Sequence, residues 1–302
     1  MMRLIILPLA ALALLPACDN HAGQPNAEAE LSPVAANDMA LTDKRRVLDL
    51  EGGVNFRDLG GYRTTDGRIT KWETVYRSGS PAGLTDADNA ELARRGIRTF
   101  CDFRSNEERE EEPNPYVVKN SDVEYWTRDY AMDSGGLGKV LAGPNASADN
   151  SRKAMISIYR TIAQDNSESY AQMFRYLAEG RTPLAFNCSA GKDRAGTGAA
   201  LLLSLLGVPR ETVVADYALS DDVVDYRAKI QEAADSNPSY AALAQLPWET
   251  VKPLVASDPA YIESALDALE NEYGSVDTFI ERKLGVTEDM KRAIIKNLTE
   301  ES

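Results

Sequence analysis

The chain has 302 residues, 43% hydrophobic and 26% charged, enough to bury the core of one sizeable folded domain. Its 47 acidic residues outnumber 33 basic ones for a net charge of −14, which excludes nucleic acid as the main partner, because phosphate backbones are bound by neutralising them with lysine and arginine. The one histidine, His21, lies in the N-terminal tail, so neither Ser-His-Asp hydrolysis nor a histidine-rich metal site can be built in the domain, and no metal or cofactor is expected.

The chain opens on an address and a tether. Arg3 precedes an apolar run over residues 4–17, broken by Pro8 and Pro16, that falls short of the ~20 residues a bilayer span needs and is expected to be the core of a signal peptide. Leu15-Pro16-Ala17-Cys18 looks like the lipidation signal of a bacterial lipoprotein, with residues 1–18 removed up to Cys18 and the cysteine lipidated; ordinary cleavage is the alternative. Residues 19–43 are rich in Ala, Asn, Asp, Glu and Pro without helical or strand period, so they read as a flexible tether. The domain expected to follow, residues 44–302, would then be lipid-anchored to a bacterial membrane on its periplasmic side, or otherwise secreted to the periplasm.

Within the domain, residues 85–95 carry an N-cap threonine, acids in the first turn and Gly96 past the end, the signature of a helix with defined stops. Residues 97–103 and 123–128 read as strands. Cys101 adjoins Asp102 on the first of them, and strand neighbours point to opposite faces. An Asp102 turned to the site therefore leaves Cys101 in the packing, as a small buried hydrophobe; a resolving thiol is the alternative. Residues 134–152, with Gly135, Gly136, Gly138, Gly143 and Pro144, predict a long mobile loop of the kind that forms lids. Residues 153–164 and 167–179 read as helices, and 183–187 as a buried strand. Residues 221–300 are helical in pattern, cut into short pieces by Pro238, Pro247, Pro253 and Pro259. Strands separated by helices predict an α/β fold, a mainly parallel central sheet flanked by helices with a helical C-terminal part, and a site at the carboxyl ends of the strands.

Residues 183–207 carry the chemistry: a buried strand, the loop Cys188-Ser189-Ala190-Gly191-Lys192-Asp193-Arg194, and a buried helix. At a helix start the first N–H groups have no intrahelical partner. Successive amides of residues 189–194 can then converge on an oxyanion, the helix dipole adds positive potential, and the Arg194 fork can hold two phosphoryl oxygens. Such a field is also what a nucleophilic thiolate at Cys188 needs. Lys192 would add a second cation; its bland alternative is a solvated surface lysine.

This Cys-x5-Arg loop resembles the protein tyrosine phosphatase superfamily, and the Gly191-Lys192-Asp193-Arg194 core resembles its bacterial tyrosine/serine phosphatase branch. Asn55-Phe56-Arg57-Asp58-Leu59-Gly60-Gly61-Tyr62, Tyr76-Arg77-Ser78-Gly79, and Asp102-Phe103-Arg104-Ser105 with Glu108 match that branch in order, as do Asp216-Tyr217 with Ser220 and Tyr273-Gly274 with 284–286. The resemblance implies hydrolysis of phosphomonoesters through a cysteinyl-phosphate, on phosphotyrosine and with tolerance for phosphoserine, phosphothreonine or phosphoinositides, so that the partners are phosphorylated proteins, peptides or phospholipids. It also implies Asp102 as the acid that protonates the leaving oxygen, with Asp129 and Asp133 as alternatives, while an ion-pair strut for Arg104 or Arg57 is the structural reading of Asp102. Asp193 reads either as a partner for Arg57 or Arg104 or as a participant in proton transfer.

Two positions depart from the family pattern. Asn187 stands where many relatives have histidine, and Ala195 where threonine or serine is usual. The first carries no charge and the second lacks a hydroxyl for the leaving thiolate. The alternative function is therefore a catalytically weak or inactive lipoprotein that binds phosphorylated ligands.

Overall fold

The computed structural model describes residues 33–132, 146–235 and 238–301. In chain order these form helix α1 (Pro33–Leu41), strands β1 (Arg57–Asp58), β2 (Arg68–Thr70) and β3 (Val75–Ser78), helix α2 (Asp86–Arg94), strand β4 (Thr99–Asp102), helices α3 (Asn106–Glu111) and α4 (Pro115–Lys119), and strand β5 (Glu124–Thr127). Helices α5 (Ala148–Asp165) and α6 (Ser167–Ala178) lead to β6 (Leu184–Asn187) and α7 (Asp193–Leu205). The C-terminal part is helical: α8 (Arg210–Ala218), α9 (Ser220–Val223), α10 (Tyr226–Ala233), α11 (Pro238–Ala244), α12 (Trp248–Val255), α13 (Pro259–Tyr273), α14 (Val276–Arg282) and α15 (Glu288–Leu298), closed by β7 (Thr299–Glu301) against β2.

The main sheet has the order β1-β3-β6-β4-β5, with β1 antiparallel and the other pairings parallel. Alternation along the strands divides its faces. Val75, Cys101, Leu184 and Phe186 join the larger core under α5–α8 and α13–α15, whereas Tyr76, Phe100 and Ala185 join a smaller one with Leu92 of α2 and Tyr116 of α4. Period-two burial on both faces is what a parallel sheet covered by helices requires. Asn187 of central β6 sits opposite Ser78 of β3 and Asp102 of β4, so three motif-bearing strands end level around the loop that follows.

The predicted helix at 85–95 is α2, with Thr85 and Asp88 forming a reciprocal capping box. Cys101 is wholly buried in the packing. Three expectations are corrected. The tether does not extend to residue 43, because α1 packs on α8: Asn37 is buried and donates to Arg63 O and Thr212 Oγ1. Arg46 then anchors the exit of α1, donating to Ala40 O, Asp58 O and Gly60 O over the Tyr62 ring. The expected loop at 134–152 lies outside the described residues over 133–145, and its last part is the first turn of α5, started by the Ser147 cap. Pro253 sits inside α12 instead of ending a helix. Cys18 and His21 lie outside the described residues. Among the described residues no helix is long and apolar enough to cross a membrane.

Candidate active site

In the loop from β6 to α7 the carbonyls of residues 189–192 each find a donor. Ser189 O accepts from Ser80 N at 2.8 Å, Ala190 O from Asn55 Nδ2 at 3.2 Å and the Tyr226 hydroxyl at 3.3 Å, Gly191 O from Arg77 Nη2 at 2.8 Å, and Lys192 O from Gly196 N at 2.8 Å. Among the described residues, no N–H of residues 189–195 has an acceptor. Buried amides are otherwise almost always paired, so a run of unpaired ones at a helix start is the kind of backbone that can cradle an anion. Gly191 makes this path feasible. It adopts φ +68°, and a Cβ there would lie 2.5 Å from Gly79 N, so both backbone conformation and close approach demand glycine. Cys188 is buried at the start of the loop.

Arg194 is aimed by a residue far away in sequence. Glu108, in the first turn of α3, takes Nη1 at 2.7 Å and Nη2 at 2.6 Å, accepts from Ser189 Oγ, and accepts from Ser105 N at 2.7 Å as the return half of a capping box. Nη1 also donates to the Tyr130 hydroxyl at 2.7 Å and to Phe103 O. Arg194 Nε has no partner among the described residues and stays available to an oxyanion. Burial would raise the Glu108 carboxyl, but the hydrogen bonds and charge of Arg194 overcome it and hold it at about 2.

The structure moves two expected site residues. Lys192 contributes only its backbone to the cradle, because its buried ammonium donates to Leu254 O at 3.0 Å and Ala256 O at 3.1 Å and lies 3.1 Å from Asp193. It ties the loop to the end of α12, and is neither a phosphate-facing cation nor a solvated lysine. Asp102 is 0% exposed: it grips Arg104 through Nε and Nη2 and also accepts from Arg104 N, the Tyr125 hydroxyl and Asn187 Nδ2. That is the strut geometry. Asp193 pairs with neither Arg57 nor Arg104; its carboxylate, 32% exposed, accepts from the Tyr159 hydroxyl at 2.6 Å, which also meets the Tyr217 hydroxyl at 2.6 Å. Asp129 is exposed on the rim beside Arg109, and Asp133 lies outside the described residues.

Both departures sit in the interior. Asn187 Oδ1 is buried without a partner among the described residues, and Ala195 is fully enclosed. The Thr197 hydroxyl donates to Asp193 O and the Tyr170 hydroxyl to Arg194 O. Residues missed as site members are Glu108, Tyr130 and Tyr240. Glu108 was legible as the end of a Ser-x-x-Glu capping box, and its contact with Arg194 was not. Burial pushes the Tyr240 phenol of α11 up, with the charges of Glu112, Glu108 and Cys188 adding to the effect. Among the described residues no group of three or more His, Cys, Asp or Glu could hold a metal ion.

A model of the tyrosine phosphatase family matches residues 48–300. The chain is similar to a Cupriavidus necator protein bearing the name tyrosine-protein phosphatase, at 29% identity over 88% of this chain and 91% of that one. It is also similar to the triple specificity protein phosphatase PtpB of Mycobacterium tuberculosis, at 28% identity over 80% and 95% of the two chains. A tyrosine-protein phosphatase of Nostoc commune is 27% identical over 72% and 71%.

Proposed function

Because this chain belongs to the tyrosine phosphatase family and is a phosphoric monoester hydrolase of that type, we propose that it works by two displacements at phosphorus with Cys188 as the nucleophile. In the first, the Cys188 thiolate forms the S–P bond as the ester P–O bond breaks and the leaving oxygen takes a proton. In the second, water forms the new P–O bond, surrenders a proton, and the thiolate departs. The amides of residues 189–195 and the Arg194 fork hold the equatorial oxygens through both steps. The observation that carries this reading is the run of loop amides without an acceptor.

For the proton we assign Asp193 in place of Asp102. Its carboxylate has solvent access at the first residue of α7, with the Tyr159 hydroxyl and the Lys192 ammonium to orient it, whereas the Asp102 oxygens are fully engaged and enclosed. Substrate class follows from the rim. The helix that carries Glu108, the partner of Arg194, also carries Glu107, Glu110 and Glu111 and is followed by Glu112, an excess of acid that disfavours polyanions such as multiply phosphorylated inositides and favours single phosphomonoesters on peptides, phosphotyrosine first and phosphoserine or phosphothreonine after it. The breadth in the printed name of the M. tuberculosis relative supports the latter. We also retain Cys18 as a lipid anchor and a periplasmic location for the domain, read from residues 1–18 alone.

Turnover of p-nitrophenyl phosphate, abolished in Cys188→Ser while inorganic phosphate still binds, is the expected result. Phosphate binding by a wild-type protein without turnover would instead support the ligand-binding reading, which Ala195 favours.

A further inference from the structure

Three sequence motifs that the chemistry does not use meet behind the loop. Asn55 and Arg57 come from the first, Arg77 from the second, and Asp216 with Ser220 from the third; all are buried. Arg57 donates to Asn55 Oδ1, to Asp216 O at 2.9 Å and to Ser220 Oγ at 3.3 Å. Arg77 donates Nη1 to Asp216 Oδ2 at 2.7 Å and Nη2 to Gly191 O at 2.8 Å, and the Tyr62 hydroxyl occupies Asp216 Oδ1 at 2.8 Å.

We propose that Arg77 is a positioning residue of the phosphate cradle: held by Asp216, it pins the Gly191 carbonyl outward and so aims the Lys192 N–H inward at a phosphoryl oxygen. The inference rests on the reading of the loop as the phosphate site. Its logic is the planar trans peptide, in which the C=O of residue 191 and the N–H of residue 192 point opposite ways, so a bond that fixes one fixes the other. Only a guanidinium can span a carboxylate and a carbonyl with two adjacent N–H groups in a fixed fork. The fold makes room for it, since a Cβ at Gly196 would lie 2.9 Å from Arg77 Nη2. Because one carboxylate, Asp216, faces two guanidinium groups, the bed also keeps positive charge behind the anion.

The test uses the full-length Cys188→Ser protein and inorganic phosphate, with binding by calorimetry and the Lys192 amide followed by ¹H–¹⁵N spectra. Adding Arg77→Met should weaken phosphate roughly 10- to 100-fold, the loss of one hydrogen bond to a charged group. It should also remove the phosphate-induced shift of the Lys192 amide while those of Ala190 and Arg194 persist. Arg77→Lys should not restore either signal; full rescue by lysine would assign the effect to charge and overturn the positioning role. Should Arg77→Met fail to fold, Arg77→Met with Asp216→Asn leaves no unpaired buried carboxylate and carries the same expectations. Unchanged phosphate affinity in a folded variant overturns the inference alone. Failure of Cys188→Ser itself to bind phosphate overturns the reading of the loop and the inference with it.

Discussion

Arg194–Glu108 and Arg104–Asp102 are two bidentate arginine–carboxylate pairs at the same end of the sheet, and they are built for opposite purposes. In the second, both side chains are 0% exposed and the remaining guanidinium nitrogen donates to Ser80 Oγ and Glu112 O, so each of the three nitrogens already has a partner. In the first, the side chains are 11% and 21% exposed and Arg194 Nε is unspent. The ion pair alone therefore does not mark a catalytic arginine. What separates the two is solvent access and the unspent Nε of Arg194.

The comparison breaks most visibly at Arg194. Arg194→Lys keeps the charge but not the fork, and kcat on p-nitrophenyl phosphate should fall roughly 10³–10⁵-fold, the scale of a transition-state arginine; a loss under tenfold would place Arg194 with the struts.

The two aspartates should separate next. Asp193→Asn should slow alkyl phosphates by roughly 10²–10⁴-fold and aryl phosphates with good leaving groups much less, with a smaller loss of stability than at Asp102 because Asp193 is partly solvated although the Lys192 ammonium gives up its carboxylate. Asp102→Asn should show the reverse pattern, destabilising by about 3–5 kcal/mol because Arg104 is left buried against a neutral group, with leaving-group dependence intact. A steep leaving-group dependence confined to Asp102→Asn would return the acid role to that residue.

The Glu108 carboxyl offers a pH handle. Its native value of about 2 lies below its ordinary 4.5, so the folded state binds fewer protons there. Its stabilisation is present above about pH 4.5 and is lost as pH falls towards 2. Denaturant midpoints across that window should drop less steeply in Glu108→Gln than in wild type, and parallel slopes would show that the pair contributes nothing to stability. The smallest expected effect is at Ala195. With the Thr197 and Tyr170 hydroxyls both engaged elsewhere, rapid mixing with an activated aryl phosphate should show a burst of phenol. Ala195→Ser should shrink that burst and raise the steady rate roughly threefold to tenfold, worth one neutral hydrogen bond. The absence of a burst in wild type would mean that another donor serves the sulfur.

The cradle was legible because everything it needs is contiguous: a strand end, Gly191 where only glycine can pass, and a helix start whose amides are unpaired by construction. The mainly parallel sheet was legible from strands alternating with helices, and α2 from its cap residues, whereas the order of the strands and the short β1, β2 and β7 were not. Side-chain direction was not. Lys192 sits inside the loop in sequence, yet its ammonium leaves for the carbonyls of Leu254 and Ala256, more than sixty positions on. α1 was hidden because its stability comes from docking Asn37 and not from an apolar period.

What the sequence determined by itself is the local backbone: a cysteine and an arginine spaced by a loop that runs into a helix start, since peptide planarity and helix geometry are local and need no partner. Which carboxylate can reach that loop was decided only by tertiary packing. Asp102, Glu108 and Asp193 are chemically near-identical, and the burial and donors that distant segments bring make the first an enclosed strut for Arg104 and the second a clamp on Arg194, and leave the third partly exposed.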